Sequence, residues 1–225
     1  MKRKISILFI FTAISVMLAI ATVIMLLCIP KLYTDFKMMM TGVFVLLCFV
    51  PYLLFWIFRW RLPNYISISY IVFIWCTTLG GTIYGLYDII SIYDTVLHAS
   101  SGVLLGAFGL YLYRVIAKDQ KDNMLFVGLF TISFATMAGV LWEFWEFWSD
   151  EILRLNSQRH TGLDGGALVG HEAIRDTIYD LMADMVGAIL FFVAYIIIVN
   201  VRKRKQPIVV HNKIGSTTDI ADNIK

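Results

Sequence analysis

The segment Trp142-Glu143-Phe144-Trp145-Glu146-Phe147-Trp148-Ser149-Asp150 closes one apolar run. The segment Asp176-Thr177-Ile178-Tyr179-Asp180-Leu181-Met182-Ala183-Asp184 opens the next. Between them lies a polar stretch with Asn156, His160, Asp164, His171 and Glu172. The residues on either side are almost wholly apolar. Carboxylates that enter apolar helices are costly and need partners. The stretch from Trp142 to Asp184 therefore reads as two membrane-spanning helices that meet around one polar site.

Composition agrees. The chain is 59% apolar and 16% charged over 225 residues, and its mean hydropathy is +0.76. A soluble domain sits nearer 45–50% apolar and about 25% charged. The length accommodates about six spans of ~20 residues with short connections and leaves no room for a second folded domain. The expected class is all-α, a polytopic membrane protein with about six transmembrane helices. One membrane domain covers residues 1–200, and a polar tail covers residues 201–225. The net charge of +3 is small, and no basic stripe with interleaved aromatics occurs, so nucleic acid is not an expected partner. Cys28, Cys48 and Cys76 lie in or beside apolar runs. Their odd number and lack of paired spacing argue against a disulfide framework, and free buried thiols are expected. Met1-Lys2-Arg3-Lys4 looks like the start of a signal peptide, but the apolar run from Ile5 to Cys28 exceeds the 7–15 residues of a signal core. An uncleaved first helix is expected.

The expected spans are Ile5–Cys28, Met38–Phe58, Ile66–Tyr87, Thr95–Ile116, Met124–Trp148 and Ile174–Val199. Gly80, Gly81 and Gly85 in the third, and Gly102, Gly106 and Gly109 in the fourth, give small surfaces that let another helix approach. Lys2, Arg3 and Lys4, Arg59 and Arg61, Arg114, Lys118 and Lys121, and Arg202-Lys203-Arg204-Lys205 fall on one side of a six-span arrangement. Positive charge concentrates in the cytoplasm, so both termini are expected inside and the loop after the fifth span outside. The expected location is the bacterial cytoplasmic membrane, with membrane lipid as the partner; protein partners are not specified.

Three groups of polar residues then converge in the outer half of the membrane. Asp94 and His98 are four apart and share a helix face. Glu143, Glu146 and Asp150 share a face of the fifth span. Asp176, Asp180 and Asp184 share a face of the sixth, with Asp184 roughly 12–15 Å deeper than the helix start at 1.5 Å per residue. A pocket between spans four, five and six is expected. Trp142, Trp145 and Trp148 either line it or anchor the interface, where Trp is enriched. His171 stands beside the sixth span and is a further pocket candidate. Like charges at short range cannot all ionise without compensation. Three solutions stay open: a divalent cation such as Mg²⁺, Mn²⁺, Ca²⁺ or, with a His ligand, Zn²⁺; shared protons; or pairing with Arg159 or Arg175. In the first, Glu146, Asp180 and Asp184 hold the cation, and His98 or Glu143 acts as general base.

The ordered set Tyr93-Asp94-x-x-x-His98-x-x-x-Gly102, Trp142-Glu143-x-x-Glu146 and Asp176-Thr177-x-x-Asp180-x-x-x-Asp184-x-x-Gly187 resembles the YjdF-like family of bacterial inner-membrane proteins, and distantly the VanZ-like family. The resemblance covers about Asp88 to Leu190. It implies a multi-pass envelope protein and, from the VanZ-like side, a link to glycopeptide resistance. Asp164-Gly165 followed by Asp176, Asp180 and Asp184 also looks like the CDP-alcohol phosphotransferases. There Thr161, Leu168-Val169 and Asp176 stand where that motif needs Asp, Ala-Arg and Gly, so that reading is rejected. Two functions follow. One is an outward-facing, metal-assisted site that handles a lipid head group or lipid-linked envelope intermediate, by hydrolysis or group transfer if it is an enzyme. The other is a proton- or cation-coupled transporter or an antibiotic-immunity protein without catalysis. A scaffold whose carboxylates only pair with Arg is the remaining reading.

Overall fold

The computed structural model describes residues 6–118, 123–162 and 165–205. Lys2, Arg3, Lys4, Lys121, Asp164 and the chain beyond Lys205 lie outside the described residues. In chain order the helices are α1 (Ile7–Cys28), α2 (Asp35–Cys48), α3 (Val50–Phe58), α4 (Asn64–Ile74), α5 (Leu86–Ile89), α6 (Tyr93–Ala117), α7 (Met124–Leu153) and α8 (Arg175–Lys205). A π-helical segment, Trp75–Ile83, continues α4. Five helices are long and apolar enough to cross a membrane, and a sixth span results if the bent pair α2–α3 counts as one. Among the described residues the remaining regular pairing is one bridge between Thr161 and Ala167. The chain is an all-α polytopic membrane protein.

Local chemistry sets the ends. The Thr34 hydroxyl accepts from the Lys37 N–H at 3.1 Å and caps α2, with Asp35 in its first turn, where a negative charge suits the helix dipole. The Asn123 side chain accepts from Leu125 and Phe126 N–H at the start of α7. Arg59 and Arg154, both at φ 57°, close α3 and α7 in the left-handed region.

The structure departs from the expected spans in three places. The second is not straight: α2 and α3 meet at 46° around Phe49. Pro51, at the start of α3, has no N–H to donate, and its ring crowds the carbonyl four residues back. The third does not run on as an α-helix to Tyr87. It widens into the π segment, where the Tyr84 N–H reaches back five residues to the Leu79 carbonyl at 3.0 Å. Gly80 and Gly81 were expected to receive another helix. They receive aromatic rings instead, Tyr93 against Gly80 and Tyr87 against Gly81. The Tyr93 hydroxyl also donates to the Cys76 carbonyl at 2.9 Å. Finally, α7 and α8 are longer than expected. Their 30 and 31 residues extend about 45 Å at 1.5 Å per residue, beyond a hydrocarbon core of about 30 Å. Helix α7 passes Trp148 to Leu153, and residues 201–205 of the expected tail are helical.

Two packed groups make the body. Helices α1, α2, α4 and the π segment enclose a core of Ala19, Phe44, Cys48, Ile71, Ile74, Leu79 and Ile83. Polar side chains on α1 help to fix that group: Trp75 Nε1 donates to Ser15 Oγ at 2.8 Å, and the Thr22 and Tyr84 hydroxyls meet at 3.1 Å. The second group is α6, α7 and α8. Here α6 and α8 cross backbone to backbone. A Cβ on Gly102 would collide with the Asp184 carbonyl oxygen, and one on Gly187 with the Ala99 carbonyl oxygen. This small-residue crossing fixes the register between His98 on α6 and Asp184 on α8.

Candidate functional site

The start of α6, the end of α7 and the start of α8 share one end of the bundle, together with the loop of residues 154–174. Each helix delivers its carboxylates on the expected face. Glu143, Asp150, Asp180, Asp184 and His98 are buried, and Asp94, Glu146 and Asp176 are partly buried.

At the centre stands His98. Its Nδ1 lies 3.3 Å from Asp184 Oδ2, and the Ser101 hydroxyl donates to the other oxygen of the same carboxylate. An ionised carboxylate only accepts, so Nδ1 is the donor toward an ionised Asp184 and Nε2 is the ring nitrogen turned to the rest of the cluster. That Nε2 faces Asp94 Oδ1 at 3.7 Å and Asp180 Oδ2 at 3.8 Å. Gly139 on α7 leaves the room in which the Asp184 carboxylate lies, because a Cβ there would overlap Oδ2. Asp184 was expected among the cation ligands. It instead stands behind the imidazole and orients it, because the α6–α8 crossing places it on the Nδ1 side.

Glu143 is the anomaly of the site. It is 3% exposed; neither carboxylate oxygen makes a well-formed hydrogen bond to a described residue, and the polar side chains closest to bonding it are those of Thr177 and Gln158. Ligand atoms of His98, Glu143 and Asp180 all lie within 4.8 Å of one another, a spacing that can hold a metal ion. A second such group is Asp94, Asp176 and Asp180, so Asp180 belongs to both. Asp176 Oδ2 is likewise buried and without a hydrogen bond. Glu146 was expected beside Asp180 and falls in neither group. It accepts from Trp142 Nε1 at 2.9 Å and stays half-buried, within electrostatic reach of Glu143, His98 and Asp94.

Other expected pocket residues do different work. Asp150 anchors the loop: its two oxygens accept from the N–H groups of Ser157 at 2.7 Å and Gln158 at 3.0 Å, and His160 Nδ1 lies 3.3 Å away. Asn156, expected to be solvated, closes a turn by bonding both the N–H and the carbonyl of Thr161. Trp142 is 51% exposed, and Trp145 and Trp148 are also exposed. All three lie off the buried face of α7 that bears Glu143 and Asp150, and Trp142 alone among them bonds a carboxylate, that of Glu146. His171 is exposed in the turn before α8 and joins none of the cluster's hydrogen bonds or ion pairs. Of the two arginines weighed as partners, Arg159 is the one that pairs with carboxylates among the described residues. Its Nη2 lies 3.2 Å from Asp94 Oδ2 and its Nε 3.8 Å from Asp176 Oδ1.

Several residues had no sequence signal. Gln158 Nε2 bridges the Thr177 hydroxyl at 3.0 Å and the Glu143 carbonyl at 3.5 Å, which ties the loop to α7 and α8. Tyr87, seated on Gly81, lies within electrostatic reach of Asp94, Glu146 and Arg159. Burial pushes its phenol up, and the two carboxylates add to that. Ser101 alone could have been found, because it follows His98 by three residues and so shares its face. Beyond the Gln158–Thr177 contact, a cleft of about 730 Å³ opens between the end of α7, the loop and the start of α8. It mixes Arg154 and His160 with Phe147, Leu155 and Ile174.

Comparison with known proteins adds one finding. Neither the curated proteins nor the solved structures gave a match. A family model does match, over residues 11–201, which includes every residue of the site described above; the chain belongs to the predicted membrane protein family DUF2238.

Proposed function

We propose that this is a multi-pass protein of the cell membrane whose working centre is a divalent-cation site formed by His98, Glu143 and Asp180. The carrying observation is the carboxylate of Glu143, buried at 3% exposure without a well-formed hydrogen bond. A buried charge with no partner is strongly destabilising. A cation beside it removes that cost, and the neighbours are His98 Nε2 and the Asp180 carboxylate. The arrangement Asp184–His98–cation matches the way metal-bound imidazoles are held, with the second ring nitrogen on a carboxylate. One imidazole and two carboxylates suit Mn²⁺ or Zn²⁺ better than the all-oxygen preference of Ca²⁺ or Mg²⁺.

The charge bias of the connections supports an outside placement for this end of the bundle. The adjoining cleft sets Asp150, Glu151, Arg154 and His160 beside apolar Phe147, Leu155 and Ile174, a mixed-charge and apolar lining that suits an amphiphile at the membrane surface: a lipid head group or a lipid-linked envelope intermediate. A bound cation would supply a Lewis acid there. The protein would supply orientation through Asp184, and a basic group through Glu143 or Asp94. The resemblance to YjdF-like and VanZ-like envelope proteins belongs to this same reading.

A second reading has its own support. Ser101, Asp184, His98 and Asp94 form a chain from the buried crossing toward the loop end, the layout of a proton relay in a transporter. One experiment separates the two. Purified chain in detergent is equilibrated with Mn²⁺, and bound metal is counted. The cation site predicts one tight Mn²⁺ per chain, lost in Glu143→Gln with the fold retained by circular dichroism. No bound Mn²⁺ in a folded chain defeats it and leaves the relay.

A further inference from the structure

Arg159 carries five N–H donors, yet its side chain makes no hydrogen bond to any described residue beyond its two ion pairs with Asp94 and Asp176. Its side chain is 39% exposed. Its backbone sits at φ 48°, in the left-handed region that a non-glycine residue occupies only when its surroundings impose it. The surroundings are visible: Asp150 holds the preceding amides of Ser157 and Gln158, and Asn156 closes the turn on Thr161. The Arg159 N–H itself donates to the Asn156 carbonyl at 3.1 Å. The loop is thus pinned to α7 so that one guanidinium reaches the carboxylates of α6 and α8.

Those carboxylates are not separate from the cation group. Asp94 lies 3.2 Å from Arg159 and 3.7 Å from His98 Nε2. Asp180 belongs both to the His98–Glu143 group and to the Asp94–Asp176 group. A cation and the guanidinium therefore draw on overlapping charge and repel one another across a few ångströms. Resting on the cation reading above, we propose that Arg159 is a tethered competitor of the cation: it sets how tightly the site binds a divalent ion, and the ion in turn loosens the loop segment that carries Arg159. Such coupling is reciprocal by necessity.

The test uses the full-length chain in detergent, with Mn²⁺ alone as probe. Arg159→Gln should bind Mn²⁺ on the order of ten-fold tighter than wild type, whereas Arg159→Lys, which keeps the charge, should stay near wild type. In wild type, Mn²⁺ should speed tryptic cleavage after Arg159 while leaving cleavage at the exposed Arg154 unchanged. Equal Mn²⁺ affinity in wild type and Arg159→Gln, or cleavage after Arg159 that Mn²⁺ slows or leaves alone, overturns the competitor role and spares the cation site. A folded wild-type chain that takes up no Mn²⁺ overturns both.

Discussion

Replacing Glu143 by methionine should make the metal-free protein more stable, the reverse of what an ordinary buried-residue substitution does. Wild-type Glu143 carries two buried oxygens without a well-formed hydrogen bond. An unsatisfied buried polar group costs about 1–3 kcal/mol, and more if charged. Methionine has similar volume, adapts to irregular space and removes that cost. For a chain of this size each kcal/mol moves the midpoint by about 2–4 °C, so Glu143→Met in chelator should melt roughly 2–12 °C higher than wild type. Mn²⁺ should narrow or reverse the difference. A ligand at a hundred times its dissociation constant adds about 2.7 kcal/mol to the form that binds it, and only wild type should respond. The assay is thermal unfolding in detergent, followed by intrinsic fluorescence, with chelator and then with Mn²⁺. Destabilisation of Glu143→Met in chelator would show that the carboxylate is satisfied after all. An equal Mn²⁺ response in the variant would show that the ion sits elsewhere.

Other outcomes follow from packing and from the loop. Gly102→Ala forces a Cβ against the Asp184 carbonyl. Overpacking of this kind costs about 1–3 kcal/mol, so the melting point should fall and the His98–Asp184 register should slip, weakening Mn²⁺ uptake. Asp150→Asn removes the negative charge and one of the two oxygens that accept from the Ser157 and Gln158 amides. Hydrogen exchange at those two amides should rise at least several-fold, as expected for losing hydrogen bonds worth about 1.5–3 kcal/mol to a charged acceptor, while exchange in the middle of α6 stays as it was. Tyr87 is held protonated by burial and by its acidic neighbours. Above the ordinary phenol value of 10.0, the unfolded chain ionises while the folded one does not, so folded stability falls as pH rises through that point. Tyr87→Phe should show a shallower fall in melting temperature between about pH 9.5 and 11. An identical slope would remove Tyr87 from the acidic environment.

Much of this molecule was legible from one dimension of pattern. Apolar runs gave the helices, and the spacing of Glu143, Glu146 and Asp150, or of Asp176, Asp180 and Asp184, gave faces that the structure keeps. The convergence of α6, α7 and α8 also followed, because each group falls at the same end of its span. What pattern alone left open was which partner each side chain of the cluster takes. Whether Asp184 stands in front of or behind His98 depends on the crossing at Gly102 and Gly187, a contact of long sequence separation with no local signature. Asp150 was expected to line the pocket because it shares the face of Glu143. One helical turn beyond Glu146 is enough to put it at the loop, where backbone amides claim it. Glu146 gives one oxygen to Trp142, a neighbour four residues away whose indole N–H carried no sequence signal. The bend at Phe49 was foreshadowed by Pro51, whereas the π segment needed knowledge of the rings that settle on Gly80 and Gly81.

The most direct measurement is an anomalous-diffraction map of the protein crystallised with Mn²⁺ and recorded near the metal's absorption edge. The account predicts one strong peak bounded by His98 Nε2, a Glu143 oxygen and an Asp180 oxygen, with Asp184 still on the far side of the imidazole. A peak against Asp94 and Asp176 alone, or none in a crystal whose Glu143 remains buried, would contradict it.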